Sequence, residues 1–210
     1  VGKSRNTVLL VYWIAYGIPT SQSCYRVIVG RDKQPSELFK INWRMKMNKT
    51  IGIIGLGPMG GIIATNLLKK NFAIVGYDIK LECRREFEAN GGTSVSSTTE
   101  VADEADVLIT SLPGALALDT VMDDVLKSNR PDHVLIETST LTLDQKLEAA
   151  KRLALAGKSL LDCPISGTPP MLASMTASIY VSGDKELYER CLSVFEGFAA
   201  TSFFVGSVGN

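Results

Sequence analysis

Four cysteines and one histidine are all that 210 residues offer toward soft metal ligation or thiol chemistry. Cys24, Cys83, Cys163 and Cys191 are scattered, with no C-x-x-C pair, and His133 stands alone. Neither a zinc site nor a disulfide framework is indicated, and no metal is expected. Without such a framework the cytoplasm is the default compartment. Net charge is missing too: 22 Lys plus Arg balance 22 Asp plus Glu. That balance gives no footprint for nucleic acid or a membrane surface, and leaves a small anionic ligand open. The apolar run Val8–Ile18 is too short to cross a bilayer. There is no internal repeat and no low-complexity linker. What remains is 45% hydrophobic and 21% charged, a soluble globular composition long enough for one well-buried domain and part of a second.

Residues 1–46 stand apart from the pattern that follows. They open on Val1, and Met47 directly precedes the first regular element, so Met47 is read as a natural start. Lys3 and Arg5 before the apolar run and Pro19-Thr20-Ser21-Gln22-Ser23 after it give a faint likeness to a secretory signal. Upstream read-through is preferred to targeting, and the segment is expected to lie outside the fold and to be poorly ordered.

From residue 49 the pattern is clear. Ile51, Ile53 and Ile54 form a short β-branched run that breaks at Gly55-Leu56-Gly57-Pro58-Met59-Gly60, a G-x-G-x-x-G turn. Gly55 permits the tight turn, Gly57 lets a pyrophosphate approach the backbone, and Gly60 lets the next helix lie close to the strand. Pro58 suits a first helical turn, whose free N–H groups would face phosphate. Met59, Ile63 and Leu67 mark the buried face of that helix, with Lys69 and Lys70 at its C-terminal end. Phe72–Tyr77 is the second strand. Asp78 ends it, 18 residues past Gly60, where a carboxylate takes both hydroxyls of an adenosine ribose and repels a 2′-phosphate. Lys80, Arg84 and Arg85 just downstream could pair with such a phosphate. The cofactor is therefore NAD or NADP, with NAD slightly favoured.

Leu81–Asn90 reads as a solvated helix closed by Gly91-Gly92. Thr93–Val95 is a third strand, and Ser97 caps a helix with Glu100 reaching back. Val107–Thr110 and Val134–Ile136 are the fourth and fifth strands. Leu143, Leu147, Ala150 and Leu153 mark an amphipathic helix. Lys158–Asp162 is a sixth strand, followed by a loop with three prolines, Cys163 to Pro170. Ser178–Val181 is a strand, Asp184 caps a helix, and Thr201–Val205 closes the set. This alternation predicts an α/β fold, a three-layer doubly wound Rossmann-type domain over 47–210 with a mostly parallel sheet. The loops after Ile54, Tyr77, Thr110 and Ile136 should then line one cleft.

These motifs resemble the β-hydroxyacid dehydrogenase family, which holds 3-hydroxyisobutyrate dehydrogenase and, more distantly, 6-phosphogluconate dehydrogenase. The opening G-L-G-x-M-G-x-x-M-A-x-N-L stands here as Gly55 through Leu67, with Ile63 replacing Met. The resemblance places Leu112, Pro113 and Ala117 near the cofactor. In Glu137-Thr138-Ser139-Thr140, the counterpart of Asp-x-Ser-Thr, it brings Thr140 toward the nicotinamide. The family's substrate loop D-x-P-V-S-G-G appears as Asp162-Cys163-Pro164-Ile165-Ser166-Gly167-Thr168. Ser166, Gly167 and Thr168 would thus hold a small carboxylate, with Thr168 where a second glycine is usual. Met171-Leu172 and Met175 replace further small residues. The departures imply an altered substrate pocket or a relative without activity.

The family's catalytic lysine follows G-x-V-G-x-G-x-x-x-K. Here Gly206-Ser207-Val208-Gly209-Asn210 matches the beginning, so the resemblance puts the lysine just past Asn210. It also implies a C-terminal helical domain, absent from this chain, through which relatives form homo-oligomers. No catalytic residue is expected within the chain, and the fragment is expected to bind cofactor without turnover. Hydride exchange with a 3-hydroxy acid needs a proton carrier such as a lysine of lowered pKa. Lys158 and His133 lie near strand starts, at the wrong end of the sheet. Ser139 and Ser166 lack a His-Asp partner, and Cys163 reads as a small buried hydrophobe. The expected function is an NAD(P)-dependent oxidoreductase of small 3-hydroxy acids. The alternatives are a non-catalytic nucleotide-binding module and an imine-reductase-like relative.

Overall fold

The computed structural model describes residues 49–209; residues 1–48, which include the extension 1–46 and Met47, and Asn210 lie outside the described residues. In chain order the elements are β1 (Thr50–Ile54), α1 (Pro58–Lys69), β2 (Ala73–Tyr77), α2 (Leu81–Ala89), β3 (Thr93–Ser94), α3 (Thr98–Glu104), β4 (Val107–Thr110) and α4 (Ala115–Lys127). They continue with β5 (Val134–Glu137), α5 (Leu143–Leu155), β6 (Ser159–Asp162), β7 (Ile165–Ser166), α6 (Pro169–Ala173), β8 (Ser178–Ser182), α7 (Lys185–Phe198) and β9 (Thr201–Gly206).

Strands β3-β2-β1-β4-β5-β6 run parallel in that order. The chain winds outward from β1 to β3, returns to the middle at β4, and winds outward the other way. This is the doubly wound arrangement predicted from the alternating motifs. Its switch point lies between β1 and β4, where a crevice opens beyond the carboxyl ends of the strands.

Both faces of the sheet are buried, which is why the strands read as unbroken apolar runs rather than alternating ones. Ile51, Ile53, Val107, Ile109, Val134 and Ile136 point to one core, shared with Ile63 and Leu67 of α1 and Phe195 and Phe198 of α7. Ile54, Leu108 and Leu135 point to the other, shared with Val101 of α3, Met122 of α4 and Leu153 of α5. The two-residue period of the strands thus distributes one set of isoleucines and leucines between two helical layers.

Beyond β6 the pattern changes. β8 runs antiparallel to β6 and β7, pairing Asp162 with Ser182, Ile165 with Ile179 and Ser166 with Ser178 in one unshifted register. Tyr180 N–H donates to Pro164 O at 3.1 Å within the same ladder. β6 and β7 are therefore one bent strand, interrupted at Cys163-Pro164. β9 then pairs parallel to β8.

Three details differ from the sequence expectations. The stripe on α5 differs at its start: Leu143 and Leu147 are exposed, and Lys146, Ala149 and Leu153 are buried. Leu153 is buried as expected and Ala150 packs on the core, so the departure is confined to the start of α5, where two carboxylates hold Lys146 inward. The proline-rich stretch Cys163–Pro170 is only partly loop, since Pro169 and Pro170 open α6 as proline can in a first turn. Ser97 Oγ caps α3 by accepting from Glu100 N–H at 3.1 Å. Glu100, however, takes the N–H and hydroxyl of Ser96, at 2.7 and 2.6 Å, so its carboxylate is engaged one residue ahead of the cap.

Candidate functional site

The three glycines of the first turn meet different surroundings. Gly55 has φ +91°, and a Cβ there would lie 2.2 Å from Ser111 O. At Gly60 a Cβ would lie 1.8 Å from Gly55 O, so α1 reaches its place only because that side chain is missing. At Gly57 a Cβ meets nothing within 4 Å. Packing explains Gly55 and Gly60; it does not explain Gly57, whose bare backbone faces open space at the head of α1.

That helix end suits an anion. Gly57 supplies no side-chain cap, Pro58 is the first helical residue, and the first turn holds no acid. α3, α5 and α7 are capped by Ser97, Thr142 and Asp184, whereas α2, α4 and α6 share with α1 the lack of a side-chain cap. Uncapped N–H groups at a helix start are the hydrogen-bond donors and positive dipole end that phosphate uses. Leu56 is buried and Met59 packs on the core beneath. The arrangement therefore fits a dinucleotide pyrophosphate.

Asp78 stands at the carboxyl end of β2, as predicted. Its carboxylate accepts from Leu56 N–H at 2.7 Å and from Lys80 N–H at 2.8 Å. The glycine turn and the acid that follows β2 are thereby tied together, and Asp78 is aimed along the edge of the turn. The Arg84 guanidinium lies over the Tyr77 ring, 5.5 Å from its centroid, and its buried Nε has no hydrogen-bond partner. Lys80 and Arg85 are exposed.

The remaining predicted residues follow the other strand ends. Leu112 and Pro113 follow β4, and Ala117 sits in the first turn of α4. Thr140 is exposed just beyond the buried run Glu137-Thr138-Ser139. Ser166, Gly167 and Thr168 are all exposed at the end of the bent β6–β7 strand, and the Thr168 hydroxyl is not used to cap α6. The topology brings all these loops to one end of the sheet.

One feature of that end is not foreshadowed by any motif. Glu137, fully buried at the end of β5, forms an ion pair with Lys146 of α5, and Lys146 Nζ also lies 2.7 Å from Asp162 Oδ1 at the end of β6. Glu137 Oε1 accepts from Ser139 N–H at 2.9 Å and from Thr110 Oγ1 at 3.4 Å. Ser139 Oγ in turn accepts from Leu112 N–H at 2.8 Å. The available signal was a lysine three residues before Ala149 and seven before Leu153, a charge on what proves to be the inward stripe.

His133 and Lys158 are buried together at the opposite end of the sheet. His133 Nε2 lies 2.6 Å from Ala102 O and Nδ1 lies 3.2 Å from Lys158 Nζ, so a neutral ring donating through Nε2 satisfies both neighbours. Burial, and then the Lys158 ammonium, hold the imidazole pKa below its usual value. Lys158 also donates to Arg130 O, and its own pKa is lowered by burial. Cys163 is fully enclosed, and burial pushes its thiol well above the ordinary range, which removes it as a nucleophile. Among the described residues no group of three metal-ligating side chains occurs, and no helix is long and apolar enough to cross a membrane.

Residues 50–206 match the family described as the NAD binding domain of 6-phosphogluconate dehydrogenase. The mouse mitochondrial 3-hydroxyisobutyrate dehydrogenase is 30% identical over 184 residues, which cover 86% of this chain and 55% of that protein. The human cytokine-like nuclear factor N-PAC is 32% identical over 166 residues, 78% of this chain and 30% of that one. Among solved structures, Mycobacterium tuberculosis 3-hydroxyisobutyrate dehydrogenase with L-serine superposes with a TM-score of 0.75 at 31% identity, covering 78% of this chain and 56% of that one. The chain thus spans about half the length of the dehydrogenases it matches.

Proposed function

The chain belongs to the β-hydroxyacid dehydrogenase family, and from that premise we propose that it forms the cofactor half of an oxidoreductase acting on a small 3-hydroxy acid. The observation that carries the reading is Gly57: a glycine that packing does not require, at an uncapped helix start, beside a carboxylate held by the same turn. Gly55, Leu56, Gly57, Pro58, Met59 and Gly60 would hold the pyrophosphate, and Asp78 the adenosine ribose. Leu112, Pro113, Ala117 and Thr140 would line the path to the nicotinamide. NAD is preferred to NADP because a 2′-phosphate would meet the Asp78 carboxylate.

A bound nicotinamide supplies the hydride acceptor or donor. This chain's own residues bind and orient. The exposed hydroxyls of Ser166 and Thr168, with Gly167 between them, would take a small carboxylate. Among the described residues Lys80 is exposed at this end of the sheet, but it follows β2 beside Asp78, with β1, β4 and β5 between it and the Ser166–Thr168 loop. Lys146 is enclosed by its two carboxylates, and Lys158 and His133 lie at the far end. We therefore assign proton transfer to the part of the relatives' length that this chain does not span, and expect the chain by itself to bind cofactor without turnover. Pairing of full-length copies and a cytoplasmic location belong to the same proposal.

The test is an assay of the protein extended to the relatives' length, with NAD and NADP over a panel of 3-hydroxy acids. Turnover supports the dehydrogenase. Cofactor binding without turnover supports the second reading, a non-catalytic nucleotide-binding module. Thr168, Met171 and Met175, which stand where the family has smaller residues, favour that reading. Absence of cofactor binding by a folded protein overturns both.

A further inference from the structure

We propose that Lys146 is a positioning residue for the nicotinamide end of the cleft. This rests on the dinucleotide reading above.

A lysine enclosed in an α/β core is a poor choice for stability. Taking its ammonium and two carboxylates out of water is costly, and an apolar side chain of similar volume often does as well or better. What the ammonium supplies here is geometry. It stands between Glu137 at the end of β5 and Asp162 at the end of β6, where the loops assigned to nicotinamide and to substrate begin. The Glu137 carboxylate passes the constraint on: its second oxygen receives Ser139 N–H, and the Ser139 hydroxyl receives Leu112 N–H from the loop after β4. One buried cation therefore sets three loops relative to one another. Thr140, next to Ser139, inherits that setting.

The carboxylate is specifically required. Glu137 uses both oxygens as acceptors, one for Lys146 and one for Ser139 and Thr110. A glutamine has a single acceptor oxygen, and its NH2 group would face a donor on one side or the other. Glu137→Gln keeps size and leaves Lys146 its pair with Asp162, yet must release one end of the relay.

The test uses the 210-residue chain as wild type, Lys146→Met, Glu137→Gln and the double variant Glu137→Gln/Lys146→Met. Urea unfolding establishes which are folded. Each folded protein is titrated with NADH and with ADP-ribose, which lacks the nicotinamide. The expected result is ADP-ribose affinity within about twofold of wild type and NADH affinity lower by about tenfold in every folded variant, Lys146→Met included. If Lys146→Met does not fold, Glu137→Gln carries the comparison. Unchanged NADH affinity in folded Glu137→Gln overturns the inference. So does an equal loss for both ligands, which marks a merely structural role. If the wild type binds neither ligand, the dinucleotide reading itself fails, which is a different outcome from a loss confined to NADH.

Discussion

Alanine at Gly57 and alanine at Gly60 should have opposite consequences, although the two glycines are three residues apart in one turn. Gly60 lies under a carbonyl: its new Cβ would sit 1.8 Å from Gly55 O, where about 3 Å or more is needed for a nonbonded carbon and oxygen. The obstacle is backbone, so relief requires α1 to move off β1 by more than an ångström, disturbing Ile63 and Leu67 in the core. Overpacking of this kind costs about 1–3 kcal/mol, and more where the backbone must shift. Against a total stability of about 5–15 kcal/mol, Gly60→Ala should lower the urea midpoint markedly or prevent folding. Gly57 has φ −65° and ψ −165°, which alanine adopts without strain, and its Cβ would touch nothing. The unfolded chain loses entropy on the same change, so stability should hold or rise by about 0.4–1 kcal/mol. The methyl group would, however, occupy the space left for pyrophosphate. Losing one or two charge-assisted hydrogen bonds of about 1.5–3 kcal/mol each lowers affinity by at least about tenfold. Urea unfolding by tryptophan-independent circular dichroism and titration with NADH read the two quantities separately. Gly57→Ala binding NADH as wild type does, or Gly60→Ala matching wild-type stability, would refute the reasoning.

Met175 has φ +57°, a left-handed conformation that costs a side-chain-bearing residue about 1–2 kcal/mol. Glycine removes that cost against an entropic loss of about 0.5–1 kcal/mol, and also gives up the contact from Asn66 Nδ2 to the Met175 sulfur. Met175→Gly should therefore leave the urea midpoint level or slightly raised, and Met175→Val should lower it. His133 has a folded pKa below its ordinary value of 6.5, so the unfolded state takes up the proton first as pH falls. Its stabilising contribution is complete above about pH 6.5 and is lost progressively below it. Melting temperature should drop between about pH 7 and 5, less steeply in His133→Gln.

The site was legible where a single residue's chemistry decides its place. Gly55 and Gly60 follow from steric needs that no other residue meets, and Asp78 from its position at the end of a strand. The uninterrupted runs at Ile51, Val107 and Val134 announced strands buried on both faces. What could not be read depends on partners distant in sequence. Leu143 and Leu147 look like a core stripe until Glu137 and Asp162, supplied by two different strands, draw Lys146 inward at the start of α5. Likewise the bend at Cys163-Pro164 reads as loop, because only the register with β8 shows that one strand continues through it. Met175 was legible as a departure from a glycine, and its positive φ shows what that departure costs.

The most direct measurement is calorimetric titration of the folded 210-residue chain with NADH and with NADPH. Saturable binding of one dinucleotide per chain, tighter for NADH than for NADPH, is the predicted result. No heat of binding from either, with circular dichroism showing the α/β fold intact, would contradict the assignment of the glycine turn and Asp78 as a dinucleotide site.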